Sequence, residues 1–135
     1  ASEGVAALFL ENRTRTKAEA IGEEISGRFP GVEIGIGYPP GEVDLVLNAT
    51  SLGLKSGDPL PVDLKAFSLD RARLAYDMIY QPEKTAFLEA AEGAGARVSN
   101  GLGMLLYQGA AALEIWTGEP APVEEMRTAL QAHFR

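Results

Sequence analysis

Tyr76-Asp77-Met78-Ile79-Tyr80-Gln81-Pro82-Glu83-Lys84-Thr85, then an apolar helix, then Gly101-Leu102-Gly103-Met104-Leu105-Leu106-Tyr107-Gln108, decide how this chain is read. A strand runs out in a Tyr and a Pro, a helix follows, and a Gly-x-Gly turn opens a second helix. That second helix carries one Gln among apolar neighbours, so its amide is expected to be buried and in need of partners. In an α/β sheet, ligands sit outside the carboxyl ends of the strands. The Tyr80 phenol and the Gln108 amide are therefore expected where a small polar ligand is held.

Working outward, the same alternation recurs. Val5-Ala6-Ala7-Leu8-Phe9-Leu10 is a continuous apolar run, the pattern of a strand buried on both faces of a parallel sheet. Residues 16–29 follow as an amphipathic helix with Ala18, Ile21, Ile25 and Phe29 on one face, stopped by Pro30-Gly31. Val32-Glu33-Ile34-Gly35-Ile36 alternates like a less buried strand, and Val43-Asp44-Leu45-Val46-Leu47-Asn48 is another strand of buried type. Residues 74–80 are expected as strand, 85–93 as helix, 96–100 as strand and 103–117 as an apolar helix central to the packing, with Trp116 in the core or packing near the hinge. Gly118-Glu119-Pro120-Ala121-Pro122 makes a hinge before a last helix over 123–135. The fold class is α/β: a Rossmann-like, mostly parallel sheet with helices on both faces, in one domain spanning 1–135.

Composition narrows the function. The chain has 135 residues, 46% hydrophobic and 23% charged, with net charge −7 and no window dominated by Lys or Arg. That argues against a broad nucleic-acid surface while allowing a local phosphate pocket. There is no Cys, and the one His is His133, near the end, so neither a metal site nor a His-centred triad is expected. No apolar run approaches the roughly 18 residues of a membrane span, and no signal peptide is visible. A cytoplasmic location is the default expectation.

One element is missing from the pattern. A dinucleotide-binding sheet starts with a strand, a Gly-x-Gly-x-x-Gly turn and a helix whose N-terminus takes the pyrophosphate. Here Ala1-Ser2-Glu3-Gly4 resembles the tail of that helix and leads straight into the second strand. The expectation is a sequence that begins inside a larger protein, incomplete at its N-terminus. The absent strand would sit at the centre of the order 3-2-1-4-5-6. Its place must be closed by rearrangement, by another segment, or by a second copy of the chain as in a homodimer.

Three constellations carry chemistry. Asn12-Arg13-Thr14, with Lys17 three residues on, follows the first strand, where an Arg accommodates the 2′-phosphate of NADP. The bland alternative is a solvated Arg and an N-capping Thr; the strand-helix context favours the phosphate, and Glu11 competes for Arg13. Asn48-Ala49-Thr50-Ser51-Leu52-Gly53-Leu54 puts small residues at a strand end, where a flat cofactor can approach and Thr50 and Ser51 offer donors. An ordinary strand-loop junction, with Asn48 bonding a neighbouring loop, explains it equally. Met78 could pack on a nicotinamide ring and Gly101 could bring the cofactor amide to the backbone. Met104 belongs to this set with Met78, Tyr80, Gly101 and Gln108, though taken alone it reads as core; Asp77 reads as a loop-bonding carboxylate and His133 as solvated.

Taken together, these segments resemble the carboxyl-terminal, cofactor-binding half of shikimate dehydrogenase, across nearly the whole chain. Trp116-Thr117-Gly118 followed by Pro120 matches that family's last-helix boundary. The resemblance implies reduction of 3-dehydroshikimate to shikimate with NADPH. Asn12, Arg13, Thr14 and Lys17 would hold the 2′-phosphate end, though the family more often has Arg at the position of Lys17. Thr50, Ser51, Met78 and Gly101 would line the cofactor, and Tyr80 and Gln108 would reach the substrate. The family's catalytic Lys and Asp belong to an amino-terminal substrate domain absent from this sequence, so no catalytic residue is assigned and the 135 residues alone are expected to be inactive. An NAD-using quinate/shikimate dehydrogenase and a non-catalytic NADP-binding module are the competing readings. Glutamyl-tRNA reductase shares the Asn-Arg-Thr turn but explains neither Tyr80 nor Gln108.

Overall fold

The computed structural model describes residues 1–134. Along them run β1 Ala7–Leu10, α1 Arg15–Arg28, β2 Glu33–Ile36, β3 Val43–Asn48, β4 Ala72–Asp77, α2 Ala86–Gly93, β5 Arg97–Ser99, α3 Leu102–Thr117 and α4 Val123–His133. All the strand pairings are parallel: β1 with β2, and separately β3 with β4 with β5. The chain divides into two compact units, one of Ala1–Glu42 with Lys65–Phe67, the other of Val43–Leu64 with Ser68 onward.

In the first unit β1 and β2 run in register from Ala7 opposite Glu33 to Leu10 opposite Ile36. The expectation of a strand buried on both faces is corrected here: β1 is exposed at Ala7 and half-buried beyond, and Val5 before it is 41% exposed. A two-stranded ladder has too few neighbours to cover both faces. Helix α1 turns Ala18 and Gly22 inward, leaving Ile21 exposed. Glycine at 22 has a packing reason, because a Cβ there would lie 3.0 Å from Ile34 Cγ2 and 3.1 Å from Ile36 Cδ1. Of the expected apolar stripe, Ala18 is buried and Ile25 and Phe29 are half-buried, while Gly22 takes the inward place expected of Ile21.

In the second unit β4 is the central strand, and its Ala72, Ala75 and Asp77 are buried. Phe87, Leu88 and Ala91 of α2 and Leu106 and Ala110 of α3 complete the core. Each fully buried Phe or Leu contributes about 1.5–3 kcal/mol of transfer free energy. Two expectations fail here. Strand β3 pairs on one side only and leaves Leu45 and Leu47 half-exposed. Helix α3 is mostly apolar but buries only Leu106 and Ala110, and Trp116, expected in the core or packed near the hinge, is 81% exposed. Helix α4 lies along α3, where Arg127 donates from Nη2 to the Tyr107 phenol at 3.1 Å and stacks over its ring. Among the described residues no helix is long and apolar enough to cross a membrane.

Candidate functional site

The carboxyl ends of β3 and β4 are tied together by three buried polar side chains. Asn48 and Asp77 are register partners at the last rung of their ladder, 2% and 0% exposed. Asn48 donates from Nδ2 to Asp77 Oδ1 at 3.0 Å and to the Leu52 carbonyl at 3.0 Å. Asp77 Oδ1 also accepts the backbone N–H of Ile79 at 3.0 Å, and Oδ2 pairs with the Thr85 hydroxyl at 2.6 Å. Thr85 in turn accepts the Leu88 N–H at 3.3 Å and so caps α2. All the polar atoms of this trio are satisfied, as buried groups must be.

The network also ends the strand. The sequence pattern carries β4 to Tyr80, but the strand ends at Asp77; beyond it the Met78 N–H still bonds the Asn48 carbonyl at 3.1 Å, while the Ile79 N–H turns back to the Asp77 carboxylate. Met78, Ile79 and Tyr80 become a rim, followed by a cis Gln81–Pro82 bond. On the β3 side, Asn48 Oδ1 accepts the Thr50 N–H at 3.0 Å and the Thr50 hydroxyl at 2.8 Å, while Thr50 Oγ1 accepts the Leu52 N–H at 3.1 Å. Beyond it, Asp58 accepts the backbone N–H groups of Lys55 and Gly53, both at 3.0 Å. Those two donors hold its carboxyl below the usual carboxylate range.

Between these ends opens a cleft of about 370 Å³, lined by Ala49, Thr50, Leu54, Met78, Ile79, Tyr80, Gln81 and Met104. Thr50, Met78 and Tyr80, expected in the site from the sequence, thus meet on one surface. Met104, read as core, forms part of the wall. Tyr80 is half-buried, with its ring edge-on to Phe134 at 5.3 Å. Ser51 is exposed in the turn after Thr50 and is not part of the lining. Gly101, at the start of α3, is buried against the β4 rim, and a Cβ there would sit 2.0 Å from the Met78 carbonyl oxygen. Close passage of α3 over Met78 is therefore a sufficient reason for glycine. Gln108 is exposed on α3, which corrects the expected buried amide.

The basic loop belongs to the first unit. Asn12, Arg13 and Thr14 connect β1 to α1, Lys17 lies in the first turn, and all four are exposed. Asn12 Oδ1 accepts the Thr14 N–H at 2.9 Å, tightening the loop. Thr14 stands at the N-cap, yet its hydroxyl makes no capping bond. The first turn holds no acidic residue, and among the described residues neither Arg13 nor Lys17 forms an ion pair. Glu11 therefore does not claim Arg13. Cations at a helix N-terminus oppose the macrodipole, and an anion at that end would offset the cost.

Sequence reasoning missed Thr85 and the joint role of Asn48 and Asp77, though it assigned each of the latter pair a loop-bonding role. The available signal was a polar residue at the carboxyl end of each of two mostly apolar strands. Among the described residues there is also no cluster of three His, Cys, Asp or Glu able to hold a metal ion.

Parallel strands joined by helices, with polar groups gathered at the strand ends, place this chain among the α/β proteins that take ligands at those ends. A family model described as the shikimate 5'-dehydrogenase C-terminal domain matches residues 101–131. Over its full length the chain is 38% identical to the shikimate dehydrogenase (NADP(+)) of Methanopyrus kandleri, covering 49% of that protein. Among solved structures, it superposes on shikimate 5-dehydrogenase of Listeria monocytogenes in complex with shikimate and NAD with a TM-score of 0.78, at 31% identity, over 96% of this chain and 48% of that one. For shikimate 5-dehydrogenase of Thermus thermophilus with NADP(H) and shikimate, the values are 0.77, 31%, 97% and 47%. The chain is thus similar over its whole length to about half of these shikimate dehydrogenases, and over residues 101–131 to their C-terminal domain. It spans about half the length of the curated relatives it matches.

Proposed function

We propose that this chain is the nucleotide-binding domain of an NADP-dependent shikimate dehydrogenase, which reduces 3-dehydroshikimate to shikimate. The observation that carries the reading is the joining of Thr50, Met78 and Tyr80 on one cleft at the ends of β3 and β4. The chain's own residues suit the cofactor. A first turn of α1 without acids, next to unpaired Arg13 and Lys17, fits a phosphate. Arg13 offers a planar fork to the 2′-phosphate and Lys17 a point charge. Asn12, with its oxygen engaged by Thr14, keeps its amide N–H₂ for the adenosine side. In the second unit the Met78 and Met104 thioethers suit a flat aromatic ring beside Thr50, and Ser51 and Gly101 are assigned to the cofactor from outside the cleft lining.

When bound, NADPH supplies the hydride. The protein's task is to hold the substrate's keto carbon close to it and exclude water. Tyr80 and Gln108 are assigned to the substrate's hydroxyls and carboxylate. The proton for the carbonyl oxygen comes from the Lys and Asp of an amino-terminal substrate domain. Assays of the full-length enzyme test the assignment: Tyr80→Phe and Gln108→Ala raise KM for shikimate while leaving NADP affinity intact. If neither variant changes KM, the reading fails in favour of a module that binds nucleotide alone. The chain by itself binds NADP without turnover, so NADP-dependent oxidation of shikimate by the pure 135-residue chain removes the need for a second domain.

A further inference from the structure

We propose that the buried pair Asn48 and Asp77 makes Thr50 a one-way contact, able to accept but not donate a hydrogen bond to whatever enters the cleft. The inference rests on the reading of the cleft as the nicotinamide end of an NADP site and deepens it by naming which ligand atoms Thr50 selects.

The protons and lone pairs around Thr50 fix this sense. A carboxylate oxygen carries no proton, so Asp77 Oδ1, which takes the Ile79 N–H, accepts from Asn48 as well. The Leu52 carbonyl is likewise an acceptor without a proton to give. Facing two acceptors, the Asn48 amide must present its N–H₂ to both. Its oxygen is thereby turned toward the Thr50 N–H, a pure donor, and toward the Thr50 hydroxyl. The hydroxyl has one proton, and it is spent on Asn48 Oδ1 at 2.8 Å. One of its two lone pairs takes the Leu52 N–H at 3.1 Å. What remains is a single lone pair on an exposed residue lining the cleft. A ligand atom meeting it must bring its own proton.

Two groups at the nicotinamide end carry such protons, the carboxamide N–H₂ and the ribose hydroxyls. Thr50 is then a specificity-determining residue, and Asn48 and Asp77 are positioning residues that set its sense.

The test is the affinity of the full chain for three nucleotides. They are NADP, its 3-acetylpyridine analogue, which keeps the carbonyl acceptor but lacks the amide donor, and an analogue with fluorine in place of the nicotinamide-ribose hydroxyls. Thr50→Val is close to isosteric and should weaken NADP about 3- to 10-fold, the loss of one hydrogen bond, with Thr50→Ser restoring it. The penalty should vanish with one of the two donor-lacking analogues, which also tells amide from ribose. A penalty that persists with both analogues, or none with NADP, overturns the proposal while the nucleotide site stands. A wild-type chain that binds none of the three removes the site and the proposal together. Asn48→Ala frees the Thr50 proton to turn, so discrimination against that same analogue should fall toward one. If all three nucleotides weaken alike, Asn48 only supports the loop and the assigned sense is wrong.

Discussion

Replacing Gly101 with Ala adds one methyl where α3 begins, and the structure says what that methyl meets. Its carbon would lie 2.0 Å from the Met78 carbonyl oxygen and 2.6 Å from the carbonyl carbon, both main-chain atoms of the rim. Helix and rim must part by at least about 1 Å before the contact is tolerable, and no side-chain rotation can absorb it. The parting strains the bond from the Gly101 N–H to the Ile79 carbonyl, 3.1 Å long. Overpacking of this kind costs about 1–3 kcal/mol where side chains can shift; with backbone as the obstacle we expect the upper end, about 3 kcal/mol. For a domain of this size that lowers Tm by about 10 °C. Gly101 has φ of −75°, so alanine adds no backbone strain of its own. Gly103, two residues on with nothing within 4 Å of its would-be Cβ, is the control. There alanine stabilises the helix by up to about 1 kcal/mol. Urea and thermal unfolding of both variants measure the difference. A Gly101→Ala protein that melts with the wild type would show that the close passage of α3 over the rim is not real.

Thr85→Val removes the α2 cap and leaves Asp77 Oδ2 buried without its partner, and together these cost about 2–4 kcal/mol in urea unfolding. Arg13→Ala should weaken NADP about 10- to 100-fold by calorimetry and leave NAD unchanged, since only the 2′-phosphate loses its charge-assisted bonds. Asp58 has a folded-state pKa below its ordinary 3.8, so its bonds to Gly53 and Lys55 add stability at neutral pH. That contribution is full above the unfolded value and lost as pH falls through the folded one. The stability gap between wild type and Asp58→Ala should therefore be constant above about pH 5 and close below 3.8.

The alternation of strands and helices was legible because each element carries its own period, and most boundaries differ from expectation by one or two residues. Burial was less legible. The runs at Val5–Leu10 and Val43–Asn48 have the composition of covered strands, but a strand's covering comes from neighbours that a local window does not contain. Gln108 failed for a related reason: on a mostly apolar helix, composition does not say which face is inside. Ile21 and Gly22 show the same limit, since the closer fit of a bare Cα outweighed a larger side chain. At the site, Thr50, Met78 and Tyr80 could be read because they follow closely on the carboxyl ends of two mostly apolar strands. Thr85 lies in a polar turn, and only the fold brings its hydroxyl 2.6 Å from Asp77.

The most direct check on a nicotinamide-nucleotide site at these strand ends is an amide NMR titration of the isotope-labelled chain with NADP. The backbone signals of Thr50, Met78, Ile79, Tyr80 and Met104 should move saturably with those of Arg13 and Lys17, and NAD should leave the latter two in place. Movement confined to other residues, or no saturable movement at millimolar nucleotide, would mean that this cleft and this basic loop serve something else.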